Sequence, residues 1–181
     1  MSVFCKTMVF AKIKGFFRFA LIISSMDMLG LSAQETNISN VSDPILMQSP
    51  LVTQGYEILE LGDSAGALDH FREALTDNSE DLSALLGQAM ILADLGRHAE
   101  AYSSYDKIVA NYPSHAFAWN GRGLAAFNME DFDTALSSFK KATAEQPVNG
   151  FFYESLAWVQ MCRGKFPEAA VAAKIATLMY N

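Results

Sequence analysis

Apolar residues recur at helical spacing from about residue 48 onward, in short segments that are separated by polar or glycine-containing turns. Three stretches share the same order of residue types: LELGDSAGALDHFREAL (59–75), DLGRHAEAYSSYDKI (94–108) and NMEDFDTALSSFKKA (128–142). In each stretch an alanine is followed four positions later by an aromatic residue, which places both on one face of a helix. The pattern predicts amphipathic helices that are joined by tight turns.

The pattern returns with a fixed period of 34 residues, and we call the residues at equivalent positions of successive units a column. The alanine column consists of Ala67, Ala101, Ala135 and Ala169. Other columns keep the same register, so the chain divides into four units without insertion or deletion. A constant period of this length is the signature of stacked helical repeats. The units are 48–81, 82–115, 116–149 and 150–181.

The columns have physical roles in a pair of helices. Gly62, Gly96 and Gly164 stand between two helical segments, where the chain must reverse and glycine takes a left-handed conformation at low cost. The aromatic column is expected to fill the gap between one helix pair and the next. Proline at a unit boundary, as at Pro113, ends the second helix. Because one pair cannot bury its own apolar face, we expect the units to stack.

These columns resemble those of the tetratricopeptide repeat family, and the third unit matches best, at Trp119, Gly123, Ala135, Phe139, Ala142 and Pro147. The resemblance implies an all-α fold, a right-handed superhelical solenoid of four antiparallel helix pairs with no sheet. Three positions depart from the family pattern. Glu130 replaces a turn glycine, Ala173 replaces a packing aromatic, and Ser79 replaces a boundary proline.

The resemblance also implies that the first helix of each pair lines a concave surface, where partners of this family usually bind. Glu60 and Asp94 are expected at the edge of this surface. Its mainly apolar and aromatic character suits an extended or helical apolar segment of another protein. An alternative is that several of these side chains only pack between neighbouring helices. The predicted groove residues are Val52, Tyr56, Leu59, Leu86, Met90, Phe117, Asn120, Leu124, Phe127, Glu154, Trp158 and Met161.

Some members of the family clamp the C-terminal carboxylates of heat-shock chaperones with Lys, Arg and Asn side chains. The predicted groove here contains one asparagine and no lysine, and Arg122 falls outside its columns. A carboxylate clamp is therefore disfavoured. The sequence favours a non-enzymatic module that binds another protein, acting as a chaperone or assembly factor.

The last helical segment, FPEAAVAAKIATLMY, has few polar residues. Solenoids normally end in a capping helix with a polar outer face, whereas Val171, Ile175, Leu178 and Met179 cannot all be buried against one neighbouring pair. An apolar edge of this kind tends to bind a partner. We expect self-association through this helix or docking on another protein, and the alternative is an isolated exposed patch. A scaffold that self-associates in this way is the rival to groove binding.

The N-terminal residues differ in character from the repeats. Residues 1–33 form a basic, apolar tail with four basic residues and one acidic residue, and 34–47 form a polar linker. The apolar run in the tail is too short to span a bilayer. A secretory or targeting signal, a helix on a membrane surface and an upstream extension without a role are all compatible with it. Membrane contact or export is expected only through this segment, and a cytoplasmic location otherwise.

Charge and residue spacing restrict the chemistry of the chain. The net charge of the chain is −7. Residues 34–181 have a net charge of −10, whereas the tail has a net charge of +3. The acidic charge of the repeats disfavours binding to nucleic acid. None of His70, His98 and His115 has a second His or Cys at metal-ligand spacing. We therefore predict no catalytic residue, no metal site and no cofactor.

Overall fold

The computed structural model describes residues 49–180, and the predicted tail (1–33) and linker (34–47) lie outside the described residues. No strand occurs within 49–180, which confirms the predicted all-α class. Each helix pair lies within one of the four repeat units. The described helices are α1 (Pro50–Glu60), α2 (Ser64–Asp77), α3 (Leu82–Asp94), α4 (His98–Asn111), α5 (Ala116–Asn128), α6 (Phe132–Glu145), α7 (Gly150–Cys162) and α8 (Phe166–Met179).

The helices pack in chain order, each against the one before it and the one after it. The first helices of the pairs, α1, α3, α5 and α7, also contact one another along the stack, and the second helices approach one another less closely. The first helices therefore form the inside of the curve. The arrangement is the predicted right-handed solenoid of antiparallel helix pairs.

Acidic and amide side chains begin several of the helices. Asp81 Oδ1 accepts a hydrogen bond from the Ala84 N–H at 2.8 Å, and Asp131 Oδ1 accepts one from the Thr134 N–H at 3.1 Å. A helix N-terminus has N–H groups without an intrahelical partner, and the carboxylate satisfies one of them. Asp81 and Asp131 thus act as helix caps.

The turn inside each pair needs one residue in the left-handed region. In the third pair that residue is Glu130, and the Asp131 N–H then donates to the Ala126 carbonyl at 3.0 Å. The second pair has the same bond, from the Arg97 N–H to the Leu92 carbonyl at 2.8 Å. Glutamate therefore accepts a conformation that the other turns give to glycine. The φ values are 87° at Gly62, 74° at Gly96, 66° at Glu130 and 73° at Gly164.

The aromatic column joins each pair to its neighbour, as predicted. Phe71 of α2 is fully buried between α1 and α3. A Cβ added at Gly55 or Gly87 would lie 2.8 Å or 2.5 Å from its ring, so both helices approach the ring at a glycine. The Tyr105 ring makes the same close approach to Gly121 of α5. A side chain at Gly87 or Gly121 would push neighbouring pairs apart.

The turn at Glu130 generates a stability prediction. Glu130→Gly should raise the free energy of unfolding by about 0.5–1 kcal/mol. A residue with a Cβ costs about 1–2 kcal/mol in the left-handed conformation, and glycine avoids this cost. The greater conformational entropy of glycine in the unfolded chain cancels part of the gain. Urea denaturation of the purified protein measures the change. Glu130→Ala is the matched control, since it removes the same carboxylate and keeps the Cβ. An equal gain in both variants would contradict the conformational explanation.

Candidate partner-binding groove

Five of the twelve predicted groove residues are buried: Val52, Leu86, Asn120, Leu124 and Phe127. They stand on the first helices, and packing against neighbouring helices removes them from the surface. Phe127, for example, packs edge-on against the Phe132 ring of α6. These side chains hold the inner layer together, and they offer little area to a partner.

The other seven predicted residues are accessible, and they come from all four first helices. Phe117 and Met161 are the most exposed of them, at 49% and 44%. A mainly apolar and aromatic surface therefore runs along the inside of the curve, and we call it the inner groove. Its residues are Tyr56, Leu59, Met90, Phe117, Glu154, Trp158 and Met161.

Tyr56 lies at the α1 end of the inner groove, and two contacts fix the position of its side chain. Its hydroxyl donates to the Ser83 carbonyl at 2.9 Å, which ties α1 to α3. Its ring meets the Phe71 ring edge-on, with the centroids 4.9 Å apart. Burial raises the pKa of Tyr56, and the Asp81 carboxylate adds to the effect, so the hydroxyl stays protonated and keeps its role as donor.

Phe117 and Asn120 lie on α5, at the centre of the stack. Phe117 packs edge-on against the Phe152 ring at 5.1 Å between centroids, so its position is fixed although half of the residue is exposed. Asn120 is 2% exposed, and its Oδ1 has no hydrogen-bond partner among the described residues. A buried acceptor of this kind costs free energy until a donor reaches it.

Basic side chains are absent from the inner groove itself. Arg122 is the one basic residue on the four first helices, and it turns toward the second helices. Its guanidinium donates to Asp106 at 2.7 Å and to Ser138 Oγ at 2.8 Å, and it lies 4.7 Å from the centre of the Tyr102 ring. Arg122 therefore stabilises the stack of pairs and offers no cation for a carboxylate in the groove.

His115 has a structural role that the sequence did not reveal, since the repeat pattern placed it only in an inter-repeat loop. It precedes α5, and its Nδ1 accepts a hydrogen bond from the Ala118 N–H at 3.1 Å. Histidine is not among the usual capping residues, so no sequence rule signals this role. Burial lowers the pKa of His115, which favours the neutral ring that can accept this bond.

The described residues offer neither a metal site nor a membrane-spanning helix. Within residues 49–180, no group of three or more His, Cys, Asp or Glu side chains is placed to hold a metal ion. None of the helices in that part of the chain has the length and apolar character needed to cross a membrane.

A curved stack of helix pairs with a mainly apolar inner surface defines the class of helical-repeat proteins that bind other proteins. The tetratricopeptide repeat profile matches residues 52–116 and 120–176, which is more than half of the chain. The chain therefore belongs to the tetratricopeptide repeat family. Proteins of this family are interaction modules, and this coarse function applies to the chain.

Curated relatives and solved structures agree with the family. The Hsp70-Hsp90 organizing protein of Triticum aestivum is 31% identical over 90 residues, which are 44% of this chain and 16% of that protein. Hsp70-Hsp90 organizing protein 3 of Arabidopsis thaliana is 28% identical over 90 residues, 50% of this chain and again 16% of the relative. The chain thus spans a small part of these relatives.

Among solved structures, MamA from Desulfovibrio magneticus RS-1 superposes with a TM-score of 0.69 at 21% identity, covering 72% of this chain and 74% of that chain. TTC0263, a thermophilic TPR protein in Thermus thermophilus, superposes with a TM-score of 0.62 at 22% identity, covering 71% and 72%. At these identities the likeness is one of fold.

The cap at His115 predicts a pH dependence of stability. The folded-state pKa lies below the ordinary value of 6.5, so the neutral ring contributes stability above about pH 6.5, and this contribution is lost as pH falls toward the folded-state pKa. His115→Asn keeps a capping acceptor that does not titrate. We expect the free energy of unfolding of the variant to fall less than that of the wild type between about pH 7 and about pH 5.

Denaturant titrations at several pH values measure this difference. The pKa of His98 is also lowered by burial, so some pH dependence of the same sign should persist in the variant. The two proteins should be compared first at about pH 8, where both histidines are neutral and the change of cap alone is seen. Identical slopes below that pH would contradict the assigned role of His115.

Proposed function

We propose that this chain binds an apolar segment of a partner protein, helical or extended, in its inner groove. It acts without catalysis, as a chaperone or assembly factor. The observation that carries the proposal is the exposure of Phe117 and Met161 on the inner helices, beside half-buried aromatic and aliphatic side chains. Exposed apolar side chains on the surface of a protein can mark sites of protein interaction.

Two features of the inner groove support a segment rather than a chain terminus as the occupant. The accessible residues are spread over α1, α3, α5 and α7, so an occupant would run along the stack. A helix lies in such a surface through side chains spaced three or four residues apart. Arg122, which could have met a terminal carboxylate, is held by Asp106 and Ser138.

Trp158 is one of the inner-groove residues, so its fluorescence can report the binding of a peptide there. The chain has two tryptophans, and the other, Trp119, donates its indole N–H to the Pro113 carbonyl at 2.7 Å. In a Trp119→Phe background, emission from Trp158 should shift to shorter wavelength when an amphipathic Leu-rich peptide binds. Phe117→Ser/Met161→Ser should weaken that binding by about thirtyfold, since each of the two side chains contributes about 1 kcal/mol of apolar burial.

The matched control removes two exposed apolar side chains elsewhere. Leu61 and Val148 lie in turns and are exposed, so Leu61→Ser/Val148→Ser should leave the peptide affinity unchanged. Equal losses in the two double variants would show non-specific binding and would contradict the groove. The absence of any Trp158 response to an apolar peptide would also contradict it.

A second candidate function is a scaffold that self-associates through α8, and one observation favours it. Val171, Leu178 and Met179 are exposed and Ile175 is half-buried. In the third unit the same columns hold exposed residues: Ser137, Lys141, Ala144 and Glu145. The α8 stripe, as we call Val171, Ile175, Leu178 and Met179, therefore lies on the outer face of the solenoid, where the earlier pair is polar or small.

The spacing of the α8 stripe suits a contact between two helices. Its members follow one another at four, three and one positions, which forms a single face over two turns. The columns that would pack against a following pair hold Ala170, Ala173 and Thr177 instead. The side chains of the α8 stripe thus lie beside the face of α8 that is equivalent to the repeat-stacking face of the earlier second helices. A second copy of α8 would cover them symmetrically.

Replacing the α8 stripe with the residues of the third unit tests this candidate. Val171→Ser/Leu178→Ala/Met179→Glu should convert a concentration-dependent dimer into a monomer in sedimentation velocity. The altered residues are exposed, so the variant should keep its fold and its melting temperature within a few degrees. A monomeric wild type at about 100 μM would rule out this scaffold, because that concentration populates even weak dimers.

A further inference from the structure

The amide of Asn120 differs from the other small polar groups in the interior of the solenoid. Within residues 49–180, five Ser, Thr and Asn residues are buried, and four of them form a side-chain hydrogen bond: Ser104, Ser138, Thr143 and Ser155. The fifth, Asn120, is 2% exposed, and its Oδ1 has no hydrogen-bond partner in that part of the chain. Buried acceptors without a donor are uncommon in native proteins, because each one costs free energy. The unpaired oxygen therefore points to a donor that the described residues do not supply.

Two other buried side-chain atoms of the described helices lack a hydrogen bond, and neither belongs to an inner-groove residue. His98 Nδ1 is on α4, which is a second helix. Gln160 Oε1 is on α7, in the column of the fully buried Ala126. Asn120 shares its column with Glu154, which is accessible in the inner groove. Asn120 is thus the unpaired group that an occupant of the groove would meet.

Asn120 lies on the groove face of α5. It follows Phe117 by three positions, so the two side chains lie on the same side of the helix, one turn apart. Phe117 is 49% exposed, and its ring is held edge-on against the Phe152 ring. An occupant that covers the Phe117 ring would therefore also pass over the amide of Asn120. The last torsion of an asparagine side chain is soft, so the amide can turn its oxygen toward that occupant.

The conformation of the occupant decides whether it can supply the missing donor. In a helix, each interior backbone N–H donates to a carbonyl of the same helix, so none is free for Asn120. An extended segment keeps its backbone N–H and C=O groups available to the protein that binds it. The surrounding groove residues are mainly apolar, so the side chains that face them are expected to be apolar too. The backbone is then the source of the donor, and the carboxamide can pair with its N–H.

We infer that the occupant of the inner groove is an extended segment whose backbone donates a hydrogen bond to Asn120 Oδ1 while its apolar side chains contact Phe117 and the neighbouring groove residues. This inference rests on the groove binding proposed above, which a helical or an extended segment would satisfy. Four first helices at about 10 Å from one another give a groove of about 30 Å. About nine extended residues span that length, and alternate side chains face the groove.

A peptide of about ten residues, with Leu, Phe and Val at alternate positions and Ser between them, tests the hydrogen bond. A set of ester analogues replaces one amide bond at a time, which removes a single N–H and keeps the length of the chain. Titration of Trp158 fluorescence in the full-length Trp119→Phe protein gives the affinity of each analogue. One ester should weaken binding about tenfold, because it leaves Asn120 Oδ1 unpaired, whereas esters at N–H groups that face away should have little effect.

The variant Asn120→Leu removes the acceptor and keeps the branched shape of the side chain. The all-amide peptide should bind to it about tenfold more weakly, and the sensitive ester should then cost less than about twofold. The variant should also have a higher midpoint of urea denaturation, because a buried polar group without a partner is removed. A residue that only stabilised the fold would show the opposite shift. Asn120→Ala gives the same binding comparison without added volume.

Asn128→Leu is the matched control on the same helix. Asn128 is half-buried, and its amide already donates to the Leu124 carbonyl at 2.9 Å. This variant should lower the midpoint of urea denaturation, because it removes a hydrogen bond that is already formed. It should leave the effect of the sensitive ester unchanged.

The possible results separate this inference from the proposed function. Esters with equal effects at every position, or a sensitive ester whose cost persists in Asn120→Leu, would overturn the hydrogen bond to Asn120 and leave groove binding in place. A Leu-rich peptide cross-linked as a helix is the second probe. Binding of that helix without binding of the extended peptide would also overturn the inference and leave groove binding in place. Failure of both peptides to bind would contradict the proposed function itself.

Discussion

The structure depends on the contact between an aromatic ring on one second helix and glycines on the first helices on either side of it. Phe71 fills the space between Gly55 in its own pair and Gly87 in the next pair. The ring supplies apolar area that neither pair can bury alone, and the glycines let the backbones come close enough to cover it. The distance between successive pairs, and with it the curvature of the inner groove, follows from this contact.

A residue of the inner layer that packs between helices is not available to contact a partner. Val52, Leu124 and Phe127 are buried by packing between the helices, and this packing keeps the stack continuous. The surface left over at Phe117 and Met161 is smaller than the column pattern suggests. A partner in the proposed groove would therefore meet fewer apolar side chains than the columns indicate.

Local rules are broken in a few places, and each has a physical reason or consequence. Glu130 accepts a left-handed backbone because the surrounding hydrogen bonds of the turn are the same as those around Gly96. His115 caps α5 with a ring nitrogen and so makes the central helix sensitive to protonation. Glu60 and Asp94 end their helices with charges that the helix dipole opposes. The fold tolerates these costs because stacking supplies most of the stability.

The 34-residue period alone gave the number of units, the helical class and the position of every turn, since glycine, alanine and aromatic columns each have one place in a helix pair. The resemblance to the tetratricopeptide repeat family indicated which helices would lie inside the curve. The direction of Arg122, the burial of Asn120 and the exposure of Phe117 were settled by packing between residues far apart in the chain. A period fixes the position of a residue along its helix. It does not fix how far the helix rotates against its neighbours, and that rotation decides which side of a column faces water.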